Sequence, residues 1–204
     1  MRLCQVTAFR EIAMTAFLAC ALSLGHIVFG GGNGLQEGER SGSYFDNEAQ
    51  EYKPLLWRAS IGTESGPVVA AQGRILVGTN NTRPRDPNIV GDFGVLMCFA
   101  TDGTYLWQAV HSKLSNRTND MPGMGIQSRP VLDGSRLYYV SNRGELVCLD
   151  LEGFRDKKND GPYKDEVRQG PHDADIIWIL DMVEELGVFK RDAADIRNPV
   201  ASQG

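Results

Sequence analysis

Short apolar runs alternate with turns rich in Gly, Asn and Asp along the chain after residue 54. β-Branched and aromatic residues are frequent in these runs, as is typical of β-strands. The pattern predicts one set of four strands at Pro67–Ala71, Arg74–Thr79, Val95–Ala100 and Tyr105–Val110. It predicts a second set at Arg129–Leu132, Arg136–Ser141, Glu145–Leu149 and Ile176–Leu180. Residues 55–60 are expected to form one further strand before both sets, so the predicted fold class is all-β.

The two sets of strands are copies of one repeating unit. Ser65-Gly-Pro-Val aligns with Ser128-Arg-Pro-Val, and Gly94-Val-Leu-Met-Cys aligns with Gly144-Glu-Leu-Val-Cys. A tryptophan closes each unit, and the three positions are Trp57, Trp107 and Trp178. A ring of this size is predicted to fill the space between neighbouring sheets. Residues 198–204 (Asn-Pro-Val-Ala-Ser-Gln-Gly) begin the unit once more.

Several predicted strands are apolar on both faces, for example Leu137-Tyr-Tyr-Val140. A sheet of such strands must be covered on both sides, and sheets stacked face to face supply that cover, as in the blades of a propeller. The prediction is a partial β-propeller of two four-stranded antiparallel blades plus flanking strands, after an N-terminal signal or anchor helix. Blade one covers residues 61–110, blade two covers 128–180, and a third unit starts within 196–204.

The motifs Ser-x-Pro-Val, Leu-Tyr-Val, Gly-x-Leu-x-Cys-Leu-Asp and Gly-x-x-Leu-Trp, in that order, resemble the PQQ-like β-propeller repeat. This repeat occurs in quinoprotein dehydrogenases and in the outer-membrane assembly factor BamB. The stretch from Trp57 to Gly187 is also similar to exported propeller proteins of planctomycete-type bacteria. The resemblance implies a propeller fold for residues 54–204. Because propellers close with about four to eight blades, two blades are expected to be a truncated or split member.

The resemblance does not carry a cofactor site over to this chain. Quinoprotein dehydrogenases surround the quinone with adjacent cysteines, a stacking tryptophan and a calcium site, whereas no two cysteines are adjacent here. Cys98 and Cys148 lie inside apolar strands and are predicted to be small buried residues. No metal-ligand spacing and no nucleotide-binding or nucleophile motif is present. The sequence therefore predicts no catalytic, cofactor-binding or metal-binding residues and no cofactor.

The N-terminal residues 1–30 have the features of a secretory signal, because Arg2 and Arg10 precede an apolar stretch at residues 12–29. The stretch is also long enough for an uncleaved membrane anchor, and Phe17-Leu-Ala-Cys20 leaves lipid attachment as a third alternative. Residues 31–53 are polar and rich in glycine, which predicts a flexible linker. The predicted location is periplasmic or extracellular, with membrane association if residues 12–29 are retained.

Three long connections carry the polar residues. Residues 80–92 and 111–127 are predicted at one end of the blades, where their side chains form either a funnel for a ligand or a solvated loop surface. The residues concerned are Arg83, Arg85, Asp86, His111, Arg117, Asn119 and Asp120. The connection 151–175 emerges at the opposite end and holds Asp156, Asn159, Asp160, Asp165, Glu166, Asp173 and Asp175. It is interpreted as a solvated acidic loop, because Lys158 and Val167 stand where a calcium loop needs oxygen ligands.

The net charge of −5 argues against a nucleic-acid partner, which would require a basic surface. His111 and His172 follow the leader, and neither accompanies a nucleophile motif. The interpretation is a non-catalytic exported propeller-repeat fragment that binds a protein partner or further blades, or serves as an envelope scaffold. Association of the chain with itself is a further expected mode of binding. Two alternatives stay open: a fragment of a PQQ-dependent quinoprotein oxidoreductase, or a sensor propeller associated with a bacterial serine/threonine kinase.

Overall fold

The computed structural model describes residues 56–114 and 120–188 and, before them, the backbone of four strands. These strands are β1 (Cys20–Ser23), β2 (His26–Phe29), β3 (Ser43–Asp46) and β4 (Glu51–Pro54), and β5 (Trp57–Ser60) follows. β1, β2 and β5 form a three-stranded antiparallel sheet, and β3 pairs with β4. The strand predicted at residues 55–60 is therefore present as β5.

The predicted signal or anchor segment lies largely outside the described residues. Of residues 1–30, the structure describes β1 and β2, and β3 and most of β4 fall within the predicted linker. Cleavage, anchoring and export of this segment stay predictions. Within the described part of the chain, no helix has the length and apolar character needed to cross a membrane. The predicted start of a third unit at residues 196–204 also lies outside the described residues.

Two four-stranded antiparallel sheets follow β5. The first sheet has the order β6 (Ser65–Ala71), β7 (Arg74–Asn80), β8 (Phe93–Ala100) and β9 (Tyr105–Ser112). The second has the order β10 (Val131–Asp133), β11 (Arg136–Val140), β12 (Glu145–Asp150) and β13 (Ile176–Asp181). A short 3-10 helix, Gly153–Asp156, lies between β12 and β13. The all-β class and all eight predicted strands are confirmed, with their ends shifted by at most a few residues.

Local turn chemistry sets the register of the first hairpin. Gln72 and Gly73 connect β6 to β7, and both have positive φ angles, +50° and +72°. Two consecutive left-handed residues form the kind of two-residue turn whose twist matches that of the flanking strands. The turn places Ala71 opposite Arg74, and the later pairs Ala70–Ile75 and Val69–Leu76 follow from it.

The first sheet is buried on both of its faces. Neighbouring residues along a strand point to opposite faces, so Ile75 and Val77 pack on one side and Leu76 packs on the other. The side of Ile75 contacts β5, and we call this contact the first interface. The side of Leu76 contacts the second sheet, and we call this contact the second interface. The second sheet contributes Leu137, Tyr139, Val147 and Leu149 to it.

A tryptophan makes the same contact in both interfaces. Trp57 Nε1 donates to the carbonyl oxygen of Thr101 at 2.8 Å, and Trp107 Nε1 donates to that of Leu151 at 2.9 Å. Each acceptor lies 44 residues after its tryptophan and directly follows the third strand of the next sheet. Both rings are buried, with 3% and 0% of their surface exposed. The predicted role of these two tryptophans in filling the space between sheets agrees with this packing.

The connection from β9 to β10 crosses β7 at very short range. Ile126 N donates to the carbonyl oxygen of Thr79 at 3.2 Å. A Cβ atom on Gly78 would lie 2.3 Å from the carbonyl oxygen of Ile126, so a side chain at position 78 would displace the crossing segment. Glycine at this position is therefore a packing requirement of the second interface.

Both cysteines of the sheets are free and buried, as predicted. Burial raises the pKa of the Cys98 thiol to about 12, and burial also raises the pKa of Cys148. The two thiols stay protonated at neutral pH, and a protonated thiol is a poor nucleophile and metal ligand. Cys98 and Cys148 therefore act as packing residues.

Candidate functional site

A cleft of about 400 Å³ opens beside β9, where the second interface meets the connection 151–175. Its walls come from residues 108–112 of β9, from β12 and β13, and from residues 163–168. Charged and polar side chains dominate one wall, among them His111, Arg143 and Glu145. Because this wall continues into a buried polar cluster, the cleft is the candidate functional site.

The buried cluster joins the two sheets through hydrogen bonds. His111 Nε2 lies 2.5 Å from Tyr139 Oη, so a β9 residue contacts a β11 residue across the second interface. Glu145 Oε1 accepts a hydrogen bond from Arg143 Nε at 2.8 Å, and Glu145 Oε2 accepts one from Ser141 Oγ at 3.0 Å. His111 Nδ1 lies 3.8 Å from Glu145 Oε2, which is beyond hydrogen-bond range. We call these five residues the interface cluster.

Burial governs the protonation of the interface cluster. It lowers the pKa of His111 to about 4, and the attraction of Glu145 only partly offsets this effect. Burial raises the pKa of Tyr139 well above its usual value, and the negative charge of Glu145 acts in the same direction. At neutral pH the imidazole is therefore neutral and the phenol keeps its proton. We assign Tyr139 Oη as the donor to His111 Nε2, with the imidazole proton on Nδ1 facing Glu145.

The interface cluster is arranged for packing rather than for proton transfer. Ser141 Oγ donates to Glu145 and accepts a hydrogen bond from the backbone N–H of Arg143 at 3.2 Å, so it is not paired with His111. A general base works best when its pKa lies near the working pH, and a pKa of about 4 does not meet this condition. Within the described residues of the cluster, no serine is paired with a histidine base.

The structure separates the residues of the predicted funnel. Arg85 Nη2 donates to the carbonyl oxygen of Ser60 at 2.7 Å, and its guanidinium lies 5.4 Å and 5.3 Å from the ring centres of Phe99 and Tyr105. These contacts put Arg85 in the first interface. His111 belongs to the second interface, on the other face of the first sheet. The two residues therefore do not line one funnel.

The remaining funnel residues have local roles or lie outside the described part of the chain. Asp86 Oδ1 accepts hydrogen bonds from the backbone and side-chain nitrogens of Asn88, both at 2.9 Å. Arg83 is half-buried in the same connection, and residues 117 and 119 are not among the described residues. Asp86 therefore closes a turn of its own loop.

Asp120 fastens the connection 113–130 to the second sheet. Its carboxylate accepts hydrogen bonds from Lys113 Nζ at 2.8 Å, from the backbone N–H of Leu114 at 2.7 Å and from Asn142 Nδ2 at 3.0 Å. The side chain of Asp120 is fully buried. A buried carboxylate with three donors holds a fixed geometry, so Asp120 stabilises the approach of the two sheets.

The acidic connection 151–175 is solvated only in part. Asp156 and Asp165 are exposed, as predicted for a solvated loop. Asp175 is 1% exposed, and its Oδ2 accepts a hydrogen bond from the backbone N–H of Asp160 at 2.8 Å. Burial raises the pKa of Asp175. Among the described residues, no group of three or more His, Cys, Asp or Glu side chains is placed to hold a metal ion.

The same connection returns to the first sheet and pairs with its outermost strand. Gln108 N in β9 donates to the carbonyl oxygen of His172 at 3.0 Å, and Ala174 N donates to the carbonyl oxygen of Gln108 at 2.9 Å. These bonds form a parallel bridge between residues 108 and 173. His172 Nδ1 also lies 2.9 Å from the carbonyl oxygen of Leu106. The acidic connection therefore covers part of the edge of β9.

A second part of the connection covers the edge of β13. Tyr163 N donates to the carbonyl oxygen of Ile177 at 3.2 Å. The backbone N–H of Ile176 donates to Glu166 Oε1 at the same distance. The connection thus links the outermost strands of both sheets and forms the outer wall of the cleft.

The interface cluster was not predicted from the sequence. His111 was grouped with loop residues, and Tyr139 was counted only as part of an apolar run. The one available signal is that Tyr139 occupies the position in the second unit that Val77 occupies in the first, so a polar atom enters an apolar interface there. That signal does not identify His111 as the partner, because the two residues lie in different repeat units.

Comparison with known proteins does not assign the chain to a family. No protein-family model matches the chain, and no curated protein matches it.

Proposed function

We propose that this chain is a non-catalytic module of β-propeller repeat units that is exported and serves as a scaffold for binding other proteins. The repeated tryptophan contact carries the proposal. Trp57 and Trp107 donate to carbonyl oxygens at the same position of the next sheet, 44 residues further along the chain. A contact that recurs with the period of the repeat supports a stack of equivalent sheets, as in the blades of a propeller.

The candidate site supports a scaffold rather than an enzyme. His111 is neutral at neutral pH and is bonded to Tyr139, and Glu145 is bonded to Arg143 and Ser141. The His111–Tyr139 bond joins the two sheets, and the bonds of Glu145 hold the turn between β11 and β12 of the second sheet. A catalytic cluster, in contrast, directs its reactive atoms at a substrate.

The two alternative functions gain no support from a specific contact. A quinoprotein oxidoreductase fragment would be expected to hold its quinone beside adjacent cysteines, whereas Cys98 and Cys148 are buried in different sheets. We therefore retain the scaffold as the proposed function.

A cofactor titration tests the non-catalytic part of the proposal. The purified chain is titrated with pyrroloquinoline quinone and calcium, and binding is followed by the absorbance of the quinone and by dye reduction with alcohol substrates. We expect neither saturable binding nor turnover above that of the heat-denatured chain. Stoichiometric uptake of the quinone would overturn the proposal.

N-terminal sequencing tests export. The protein is recovered from the envelope and soluble fractions of the producing cell, and its first residues are determined. Removal of the segment up to Ala21 or Gly30 is expected if the segment is a signal. Recovery only in the cytoplasm with Met1 intact would contradict export.

A further inference from the structure

The third tryptophan of the repeat occupies the same place in its sheet as the second but lacks its contact. Trp178 pairs with Cys148 in the second sheet, just as Trp107 pairs with Cys98 in the first. Trp107 is fully buried and donates to Leu151. Trp178 is half-buried, and its indole N–H donates to none of the described residues.

The surface around Trp178 corresponds to a surface that is buried in the first sheet. We call it the outer face of the second sheet; its residues are Tyr138, Val140, Leu146, Cys148 and Trp178. The equivalent positions in the first sheet form the second interface, and they are Leu76, Gly78, Leu96, Cys98 and Trp107. In the first sheet the four side chains of this set are 0% exposed. In the second sheet Tyr138, Leu146 and Trp178 are each half-buried, and Cys148 is 1% exposed.

The outer face and the second interface also have an equivalent arginine at their edges. In the first sheet, Arg74 forms an ion pair with Glu152, which lies one residue after the carbonyl that accepts the Trp107 hydrogen bond. Arg136 is the equivalent residue of the second sheet, and it pairs with Asp150 of its own sheet at 2.7 Å. A carboxylate presented by a neighbouring sheet would find Arg136 in the place that Arg74 has in the second interface.

We propose that the outer face of the second sheet binds a third sheet of the same repeat, with Trp178 Nε1 donating to the carbonyl that follows the third strand of that sheet. This inference rests on the proposed function and names the partner. The partner presents apolar residues at alternate positions of its second and third strands, as Leu137, Tyr139, Val147 and Leu149 do in the second sheet. It also presents a carboxylate to Arg136.

A second copy of the chain does not fit this surface. The two equivalent carbonyls of the described residues, at Thr101 and Leu151, already accept hydrogen bonds from Trp57 and Trp107. Two copies that met at their outer faces would leave the indole N–H of Trp178 without an acceptor of this kind. Residues 198–204 repeat the sequence that begins each unit, which favours a sheet of the same repeat as the occupant.

At position 140 the outer face of the second sheet differs from the second interface, so its partner must pack differently there. Gly78 admits the backbone of Ile126 in the first sheet, whereas Val140 holds this position in the second. The segment that leads into the third sheet must therefore cross farther from the strand than Ile126 does. A partner selected for this surface has space for one additional apolar side chain.

The test adds a third unit to the full chain. In the extended chain, residues 136–188 are repeated after Gly204, so that residues 198–204 supply the first strand and the copied segment supplies the other three. The readout is the hydrogen-exchange rate of the indole N–H groups, which NMR resolves and Trp→Phe variants assign. In the 204-residue chain, the Trp178 N–H is expected to exchange about 100-fold faster than the Trp107 N–H. In the extended chain, its exchange is expected to slow by at least about tenfold.

Two variants separate a specific contact from general stabilisation. Leu146→Asp places a charge on the outer face and is expected to return Trp178 exchange in the extended chain to the rate of the 204-residue chain. Val167→Ser, at a residue that is 92% exposed on the acidic connection, is the matched control and should leave the slowing intact. Slowing that survives Leu146→Asp would overturn the proposed contact.

Two further outcomes would also overturn the inference. One is an unchanged Trp178 exchange rate in an extended chain whose added unit is folded by circular dichroism. The other is a dimer of the 204-residue chain, detected by light scattering, that protects Trp178 and dissociates with Leu146→Asp. Neither result bears on quinone binding, so failure of this inference is distinguishable from failure of the non-catalytic proposal.

Discussion

The first and second interfaces share a central contact and differ at their margins. Both contain a buried tryptophan that donates to a carbonyl 44 residues ahead. At the first interface the margin is Arg85, which lies over the rings of Phe99 and Tyr105. At the second it is the interface cluster around a neutral, buried His111. The repeat therefore preserves the anchoring tryptophan, whereas each interface has polar partners of its own. The second interface has a histidine at its margin, which takes up a proton in the folded chain only when the pH falls towards 4.

The largest effect is expected from Trp107→Ala, which tests the shared contact. Loss of a fully buried indole leaves a cavity between the sheets and leaves the carbonyl of Leu151 without its donor. The free energy of unfolding should fall by about 3–5 kcal/mol in urea denaturation. Trp178→Ala is the matched control. It should lower the free energy of unfolding of the 204-residue chain much less, because Trp178 is only half-buried. Equal losses would mean that the contact is not what holds the sheets together.

A pH series tests the difference between the margins. His111 in the unfolded chain has its ordinary pKa of 6.5, whereas burial lowers it to about 4 in the folded chain. The unfolded chain therefore binds the proton first. The stabilisation is complete above pH 6.5 and is lost as the pH falls towards 4, by about 3 kcal/mol in total.

The variant His111→Gln isolates this contribution, because the Gln amide oxygen accepts the Tyr139 hydroxyl and does not titrate. The difference in unfolding free energy between the wild type and this variant should change between pH 6.5 and 4 and be constant above pH 7. A wild-type curve that runs parallel to that of His111→Gln would contradict the assigned protonation.

The stability of the second interface should be sensitive to one methyl group at the point where the segment around Ile126 crosses β7. Gly78→Ala places a Cβ against the carbonyl oxygen of Ile126, and overpacking of this kind costs about 1–3 kcal/mol. Thermal unfolding measures the loss. Gly170→Ala is the control, because its Cβ meets no backbone atom and only the end of one side chain, Oδ2 of Asp173 at 3.0 Å. If both variants unfold at the wild-type temperature, the crossing segment is not closely packed.

The smallest effect is expected at the margin of the first interface. Arg85→Met keeps the length of the side chain but removes the contact of the guanidinium with two rings and its hydrogen bond to Ser60. The expected loss is about 1 kcal/mol, measured by urea denaturation and independent of pH between 4 and 7. Arg155→Met, on an exposed arginine, should be neutral. A loss that varied with pH would mean that the first interface also has a titratable margin.

The sequence predicted the strands because their cause is local. The apolar runs of β7 and β11 and the turn at Gln72 and Gly73 depend on neighbours in the chain, and they set strand position and register. The repeat extended this information to the role of the tryptophans. The alignment placed Trp57, Trp107 and Trp178 at one position of the repeat, but it did not predict the carbonyl groups, 44 residues further along, that accept hydrogen bonds from the first two.

The margins could not be predicted in this way, because they are what differs between the units. Arg85 and His111 were grouped by loop position, yet they lie on opposite faces of the first sheet. The acidic connection was read from its charge as solvated, but its backbone binds two strands and buries Asp175. Such contacts depend on the path of a long connection in space, and no periodicity in the sequence encodes that path.

The path of the acidic connection 151–175 affects the tendency of the protein to aggregate. A strand at the rim of a sheet offers unpaired amides that recruit strands from other molecules, which is a common start of aggregation. Here the backbone of residues 163–174 occupies part of the rim of β9 and part of that of β13. Ribbon-like growth through these two strands is thereby obstructed, and mutations that release the connection from Gln108 should promote fibre formation before they unfold the sheets.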